Sequence, residues 1–292
     1  MIHNLKNSDK TIMRQINTEQ IRDTVEKLCI DANYNLGDDL ITSLRSALER
    51  EESPLGKEVI TQLLDNAEIG RKEQVPVCQD TGFAIIFIEL GQEVVLTGGD
   101  LREAINEGIR RGYKNGLLRK SIVKNPIDRI NTGDNTPAVI HTDIVPGDKL
   151  KITFDAKGGG CENMSRSAML TPAQGREGVI NFVVDTVKSA GANPCPPIIV
   201  GVGLGGTFDY STLLAKKAIL RPVGSNNNNK TIANLEIELL EKINRLGIGP
   251  QGLGGRITAL AVQVETFPCH IASLPVAVNI ECHSHRTKTI VI

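Results

Sequence analysis

The sequence predicts an α+β protein in which an N-terminal helical lobe packs on a mixed α/β lobe. Three observations carry this expectation. Apolar residues recur at helical spacing to about residue 72, β-rich runs set in after "RKEQVPVCQDTG", and strands then alternate with helices to the end. No linker or composition shift divides the 292 residues, so a single domain over 1–292 is expected, with the helical lobe over about 15–72 and the mixed lobe over 73–292.

The first helix is expected to start at Thr18 as N-cap, with Ile21, Val25, Leu28 and Cys29 on one face, which makes Cys29 a core residue. A second covers "DDLITSLRSALERE". A third follows Ser53, with Pro54 at its first position and Val59, Ile60, Leu63 and Leu64 facing inward. "FAIIFIEL", "AVIHTDIV" and "LKITFDAKG" then read as strands around a helix at "DLREAINEGIRRGYKNG". Further helices are expected at "REGVINFVVDTVKSAG", "YSTLLAKKAIL" and "TIANLEIELLEKINRLG", the last ended by Gly247, and strands at "RITALAVQVET" and "LPVAVNIECH". "SNNNNK" reads as a polar surface loop.

Composition narrows the function classes. A formal charge of -1 gives no basic excess to attract phosphate backbones, and 3% aromatic residues without tryptophan argue against base stacking, so nucleic acid is not an expected partner. "MIHNLKNSDKTIMRQ" has no apolar signal-peptide core, and no apolar run reaches the roughly 20 residues of a membrane helix, so a cytoplasmic protein is expected. Six cysteines in that setting point to reduced thiols or metal ligands rather than to a disulfide framework.

Gly201, Gly203 and Gly206 satisfy G-x-G-x-x-G after an apolar run, but the acidic residue expected about 20 positions later is missing from "RPVGSNNNNK". A tight strand-to-helix turn is the better reading. "GIGPQGLGG" has no Walker lysine either, so phosphate cradling is not supported.

Cys78 in "PVCQDTG", Cys195 between Pro194 and Pro196, and Cys282 at the close of "LPVAVNIEC" all sit where strands begin or end. Their wide separation excludes a C-x-x-C ribbon. A three-thiolate site gathered from distant loops and three unrelated buried cysteines both remain open on the residues alone. Cys161 and Cys269 compete for the same roles, and His270 reads either as a site residue or as a histidine satisfied within the fold.

In order along the chain, "CQDTG", "KGGGCENMS", "NPCPPIIVGVGLGGT", "LGIGPQGLGG" and "PCHIASLPVAVNIECHSHR" resemble the iron-sulfur (class I) fumarate hydratase and tartrate dehydratase family. "SPLGKEV" and "NTGDNTPAVIH" extend the likeness over nearly the whole sequence. The resemblance implies a 4Fe-4S cluster held by Cys78, Cys195 and Cys282 in the mixed lobe, with one iron left open as a Lewis acid, and the glycines after Cys195 packed near it. It also implies Gln79, Asp80 and His270 as catalytic groups, Asp80 handling or orienting a proton, with Arg119 in "LLRKS" as a carboxylate partner and Gly160 beside the substrate. Cys161 stands where relatives often have serine and stays outside the ligand set; Cys29 and Cys269 receive no role. Relatives often read "CHAARH" where this sequence has "CHSHRTK", so His283, His285 and Arg286 receive none either.

The activity so implied is the reversible hydration of fumarate to malate, a lyase step of the tricarboxylic acid cycle, with "KGGGCENMS" and "LGGRITALAV" nearer to fumarase relatives. L-tartrate dehydratase is the alternative, and a non-catalytic iron-sulfur or thiol-bearing scaffold the next. Family members join a cluster domain to a smaller C-terminal one, whereas this sequence stops at Ile292. An α subunit of a hetero-oligomer is therefore expected, with a separate β subunit completing a site for a small dicarboxylate.

Overall fold

The computed structural model describes residues 13–292; the N-terminal stretch on which the absence of a signal peptide was read lies mostly outside them. The chain begins β1 (Arg14–Asn17), α1 (Thr18–Tyr34), α2 (Asp38–Arg50), α3 (Pro54–Glu73), β2 (Phe83–Gly91), β3 (Val94–Thr97) and α4 (Leu101–Asn115). It continues with β4 (Val139–Val145), β5 (Leu150–Lys157), the single turn α5 (Gly159–Glu162), β6 (Arg166–Leu170) and α6 (Gly175–Ala190). The last elements are β7 (Ile198–Gly206), α7 (Phe208–Ile219), α8 (Lys230–Asn244), β8 (Ala259–Cys269), β9 (Leu274–Glu281) and β10 (Thr287–Val291). None of the described helices is long and apolar enough to cross a membrane.

Two compact units share these elements. The smaller comprises the described residues up to Ile30 together with Ala84–Phe154 and Lys288–Ile292; the larger comprises Asp31–Phe83 and Asp155–Thr287.

In the smaller unit β1 pairs in parallel with β3, and β2 with β4 in the sheet ordered β10-β5-β2-β4. Here α1 meets α4 at Gly112, where an added Cβ would stand 2.6 Å from that of Cys29. Cys29 is fully buried, as its helical face requires, and burial raises its thiol well above the usual range. The cap of α1 is Asn17, whose Oδ1 accepts from Glu19 N at 2.8 Å, one residue ahead of the expected Thr18.

The larger unit is built on the mixed sheet β6-β9-β7-β8, in which β7 runs parallel to β8 and antiparallel to β9. Alternate residues of β7 serve opposite faces. Ile198, Val200 and Val202 pack with Val183, Leu235 and Leu239 of α6 and α8, whereas Ile199 packs with Leu40, Leu44 and Ile60 of α2 and α3. The α+β class therefore holds, with α2 and α3 forming the helical layer on this sheet; α1 as far as Ile30 belongs to the smaller unit. Ser53 caps α3 as expected, accepting from Gly56 N at 3.2 Å. α8 stops at Asn244, before Gly247, and starts under Asn229, so one asparagine of the polar loop is a cap rather than a bystander.

Glu51, between α2 and α3, is 1% exposed. Its carboxylate accepts backbone N–H groups of Glu52 at 2.8 Å, Ser53 at 2.9 Å, Arg256 at 2.9 Å and Ile257 at 2.7 Å. Burial alone would raise this carboxyl, but the four donors hold it below the usual range. One side chain thus fastens the helical layer to the entrance of β8.

The glycine-rich stretch lies within β7 rather than forming the expected strand-to-helix turn, which only Gly206 adjoins. A Cβ on Gly201 would stand 2.2 Å from Ala215 O, and one on Gly203 2.0 Å from Ser211 O, so the glycines let α7 lie directly on β7.

Candidate metal centre

The pairing of β7 with β9 sets the site. Ile199 lies opposite Glu281, so the segment entering β7 and the segment leaving β9 reach the same end of the sheet. Cys195 stands on the first and Cys282 on the second. Cys195 is exposed and adopts φ +56°, a left-handed conformation that a non-glycine residue holds only when its surroundings impose it. The surroundings do so here. His283 Nδ1 faces Cys195 O at 3.0 Å, and Gln251 Nε2 donates to Pro196 O at 2.9 Å while lying 3.1 Å from His283 Nδ1.

Two further segments of the same unit join this rim. Cys78, half-buried after α3, precedes Gln79, which is exposed, and Asp80. Asp80 Oδ1 accepts from Gly82 N at 3.0 Å and Oδ2 from Gly159 N at 2.8 Å, which ties the cysteine loop to the glycine turn that opens α5. Arg286, 1% exposed, donates to Asp80 O and to Asn33 Oδ1. On that turn, an added Cβ at Gly160 would reach Asn193 O at 3.6 Å, so the "KGGGC" and "NPCPP" segments are neighbours.

Beneath the rim lies a buried charged layer. Lys157 Nζ donates to Ile280 O at 2.7 Å and to Cys161 Sγ at 3.0 Å, and pairs with Glu281 at 3.2 Å and Glu162 at 3.4 Å. Burial alone would lower its ammonium, but the charges of Glu281, Cys161 and Glu162 raise it instead. Burial raises the Glu281 carboxyl against the pull of Lys157. Cys161 and Cys282 act on one another: the contact with Cys282 and burial raise the Cys161 thiol, whereas the contact with Cys161, helped by His283 and Arg286, holds Cys282 well below the usual thiol range against its own burial. Cys282 Sγ lies 3.2 Å from Ser284 Oγ.

Among the described residues two groups have donor atoms close enough to share one metal ion, Cys161 with Glu281 and Cys282, and Asp155 with Glu281 and His285. The compact groups thus contain two cysteines, and they differ from the expected triad: Cys161, left outside it, is present, and Cys78 and Cys195 are not. The triad is nevertheless gathered at one rim. Burial raises the Cys195 thiol and the charges of Cys282 and Cys78 raise it further; burial raises Cys78 likewise, with Cys282 adding and Arg286 opposing. Each sulfur therefore lies within electrostatic reach of the other two.

The remaining predicted residues fall as follows. Asp80, Gln79 and Gly160 belong to the rim. His270 is exposed in the turn between β8 and β9, at the opposite end of β9 from Cys282. Arg119 is exposed in the connection after α4 and belongs to the smaller unit. The glycines expected beside Cys195 run away from it along β7, so that Gly206 pairs with Cys269 at the far end of the sheet. Sequence reasoning missed Lys157, Glu281 and Glu162 and assigned nothing to His283, His285 and Arg286. The available signal was a charge within an apolar strand, Lys157 closing "LKITFDAK" and Glu281 closing "LPVAVNIE".

Comparison with known proteins adds lineage. The family model described as fumarate hydratase (Fumerase) matches residues 22–291. "Putative L(+)-tartrate dehydratase subunit alpha" of Methanocaldococcus jannaschii is 43% identical over 273 residues, covering 91% of this chain and 95% of its own. The L(+)-tartrate dehydratase subunit alpha of Escherichia coli K12 is 36% identical over 259 residues, covering 87% and 85%.

Proposed function

The chain belongs to the iron-sulfur fumarate hydratase and tartrate dehydratase alpha-subunit family, and from that membership we propose that it is the α subunit of an L(+)-tartrate dehydratase, a hydro-lyase. The relatives' names favour tartrate over the fumarate first expected from "KGGGCENMS". Fumarate hydration, with its place in the tricarboxylic acid cycle, is the second reading, supported by the description of the family model. The observation that carries the proposal is the gathering of Cys78, Cys195 and Cys282, from three loops, at one end of the sheet beside Asp80 and the glycine turn.

The residues fit a 4Fe-4S cluster. Ligands of different irons stand farther apart than ligands of one ion, so thiols within electrostatic reach but outside a single-ion group suit a cluster, and Cys282 is already biased toward the thiolate that ligation requires. Cys78, Cys195 and Cys282 would hold it, and when bound it supplies a Lewis acid for the loss of hydroxide beside a carboxylate.

The chain's own groups do the positioning. Both oxygens of Asp80 are engaged by backbone N–H groups, which fixes the carboxylate at the rim, where it accepts or orients a proton. Gln79, exposed beside it, is a further polar contact. Gly160 lets the substrate approach the turn without a side chain in the way. Seven residue steps of β7 separate the level of Ile199 from that of Gly206, or roughly 23 Å at 3.3 Å per residue, so His270 reaches a substrate held near Cys282 only from another chain. A separate β subunit, as the relatives' names imply, would complete the site.

Anaerobic reconstitution with iron and sulfide, together with the β chain, tests the proposal. Turnover of L(+)-tartrate above that of malate or fumarate supports it, the reverse order supports the second reading, and turnover of none of them makes the chain the non-catalytic scaffold.

A further inference from the structure

Cys161 and Cys282 are both free thiols, buried at 3% and 9% exposure, and their sulfurs lie within 4.8 Å of one another. They stand on α5 and at the exit of β9, and Lys157 Nζ donates to Cys161 Sγ at 3.0 Å, which holds that sulfur beside its partner. Cys78 and Cys195 share the rim but not this close group. We propose that in the cluster-free chain a peroxide joins Cys161 to Cys282 as a disulfide, a reversible lock that withdraws Cys282 from cluster assembly and shields it from irreversible oxidation. The disulfide itself follows from the geometry of the two sulfurs; its effect on assembly rests on the reading of Cys282 as a cluster ligand.

The step balances. One sulfur of the pair, as thiolate, attacks the O–O bond of the peroxide; an S–O bond forms, the O–O bond breaks and the leaving hydroxide takes a proton to become water. The second sulfur then attacks the sulfenic sulfur, the S–S bond forms and the S–O bond breaks. For hydrogen peroxide, both thiol protons end in two molecules of water; the two sulfurs lose two electrons and the peroxide gains them. A serine at 161 has no sulfur with which to resolve the sulfenic acid, which then proceeds to sulfinic acid in excess oxidant.

The test uses the full chain purified without cluster under reductant, treated with hydrogen peroxide, alkylated, digested without reduction and mapped by mass spectrometry. Two of the six thiols should disappear together, in a peptide linking residues 161 and 282. Subsequent anaerobic loading with iron and sulfide should fall by about tenfold or more, the scale on which a compromised metal site loses affinity, and a dithiol should restore it. In Cys161→Ser, excess peroxide should instead leave sulfinic acid on Cys282 and a loading defect that a dithiol does not repair. Alkylation of both cysteines after peroxide, or a cross-link between another pair, overturns the proposal. So does a linked chain that loads as well as the reduced one. A reduced wild-type chain that takes up no iron contradicts the cluster reading instead, and the peptide map still decides whether the disulfide forms.

Discussion

Cys195 concentrates the site's chemistry in one residue. Its backbone is left-handed, its carbonyl is held by His283, and the prolines on either side stop the loop from relaxing. Cys195→Ser is expected to lower turnover of the reconstituted enzyme by at least about 100-fold while leaving its far-UV circular dichroism unchanged; turnover within twofold of wild type would remove it from the ligand set. Lys157 acts one layer below. Replacing it with methionine removes a positive charge that pairs with fully buried Glu281, and a broken buried pair costs about 3–5 kcal/mol, read as a lower urea midpoint of the cluster-free chain. An unchanged midpoint would show that Glu281 is neutral there and needs no partner. These residues differ in legibility for a physical reason. Cys78 and Cys195 announce themselves because proline and glycine punctuate their loops, whereas Lys157 and Glu281 look like strand-end charges until the pairing of distant strands brings them together.

At the scale of elements, the helices were legible and the contacts between them were not. Ser53 with Pro54 states the start of α3 outright, because side-chain oxygen and fixed φ act locally. The short strands β1, β3, β6 and β10 went unread, since four or five residues carry too little alternation to separate a strand from a loop. The G-x-G-x-x-G match is the instructive case. Its glycines answer to helix–strand distance, so Gly203→Ala should destabilise the fold by at least about 1–3 kcal/mol through overpacking against Ser211 O, and added dinucleotide should not change the melting temperature of the wild type. Glu51 makes a further prediction. Its folded-state carboxyl lies below its unfolded value, so its contribution is complete above the unfolded value, near 4.3, and is lost as pH falls through the folded one. Glu51→Gln should therefore destabilise the chain at pH 7 by about 2 kcal/mol, since a neutral amide with its own donors replaces a carboxylate that accepts four N–H groups, and the gap from wild type should narrow on acidification below about pH 4. A pH-independent gap would assign the loss to packing instead.

At the scale of the molecule, the chain is two units interleaved in sequence, each assembled from separated stretches. Hydrophobic periodicity sees neighbours in sequence and is blind to such interleaving, which is why α1 reads as part of the helical lobe although most of it packs with α4. Family membership, by contrast, was legible from ordered motifs, because residues that line one rim must recur together wherever that rim does its work. The choice of substrate was not, since the candidate substrates differ by as little as one hydroxyl and, on the proposed function, a separate subunit would complete the site. The α chain alone is expected to bind its cluster yet turn over dicarboxylates at least about tenfold more slowly than with a β subunit, because substrate-positioning groups are then missing; equal rates would make the β subunit dispensable.

On the proposed function, sulfurs from three distant loops hold one cluster at the end of the β7–β9 pair. Iron and acid-labile sulfide counted per chain after anaerobic reconstitution, with the visible charge-transfer spectrum, tests it most directly. One 4Fe-4S cluster in the wild type and in Cys29→Ser and Cys269→Ser, with loss of most of it in serine variants of Cys78, Cys195 and Cys282 alike, is the predicted result. Full clusters in all three of those variants would contradict it.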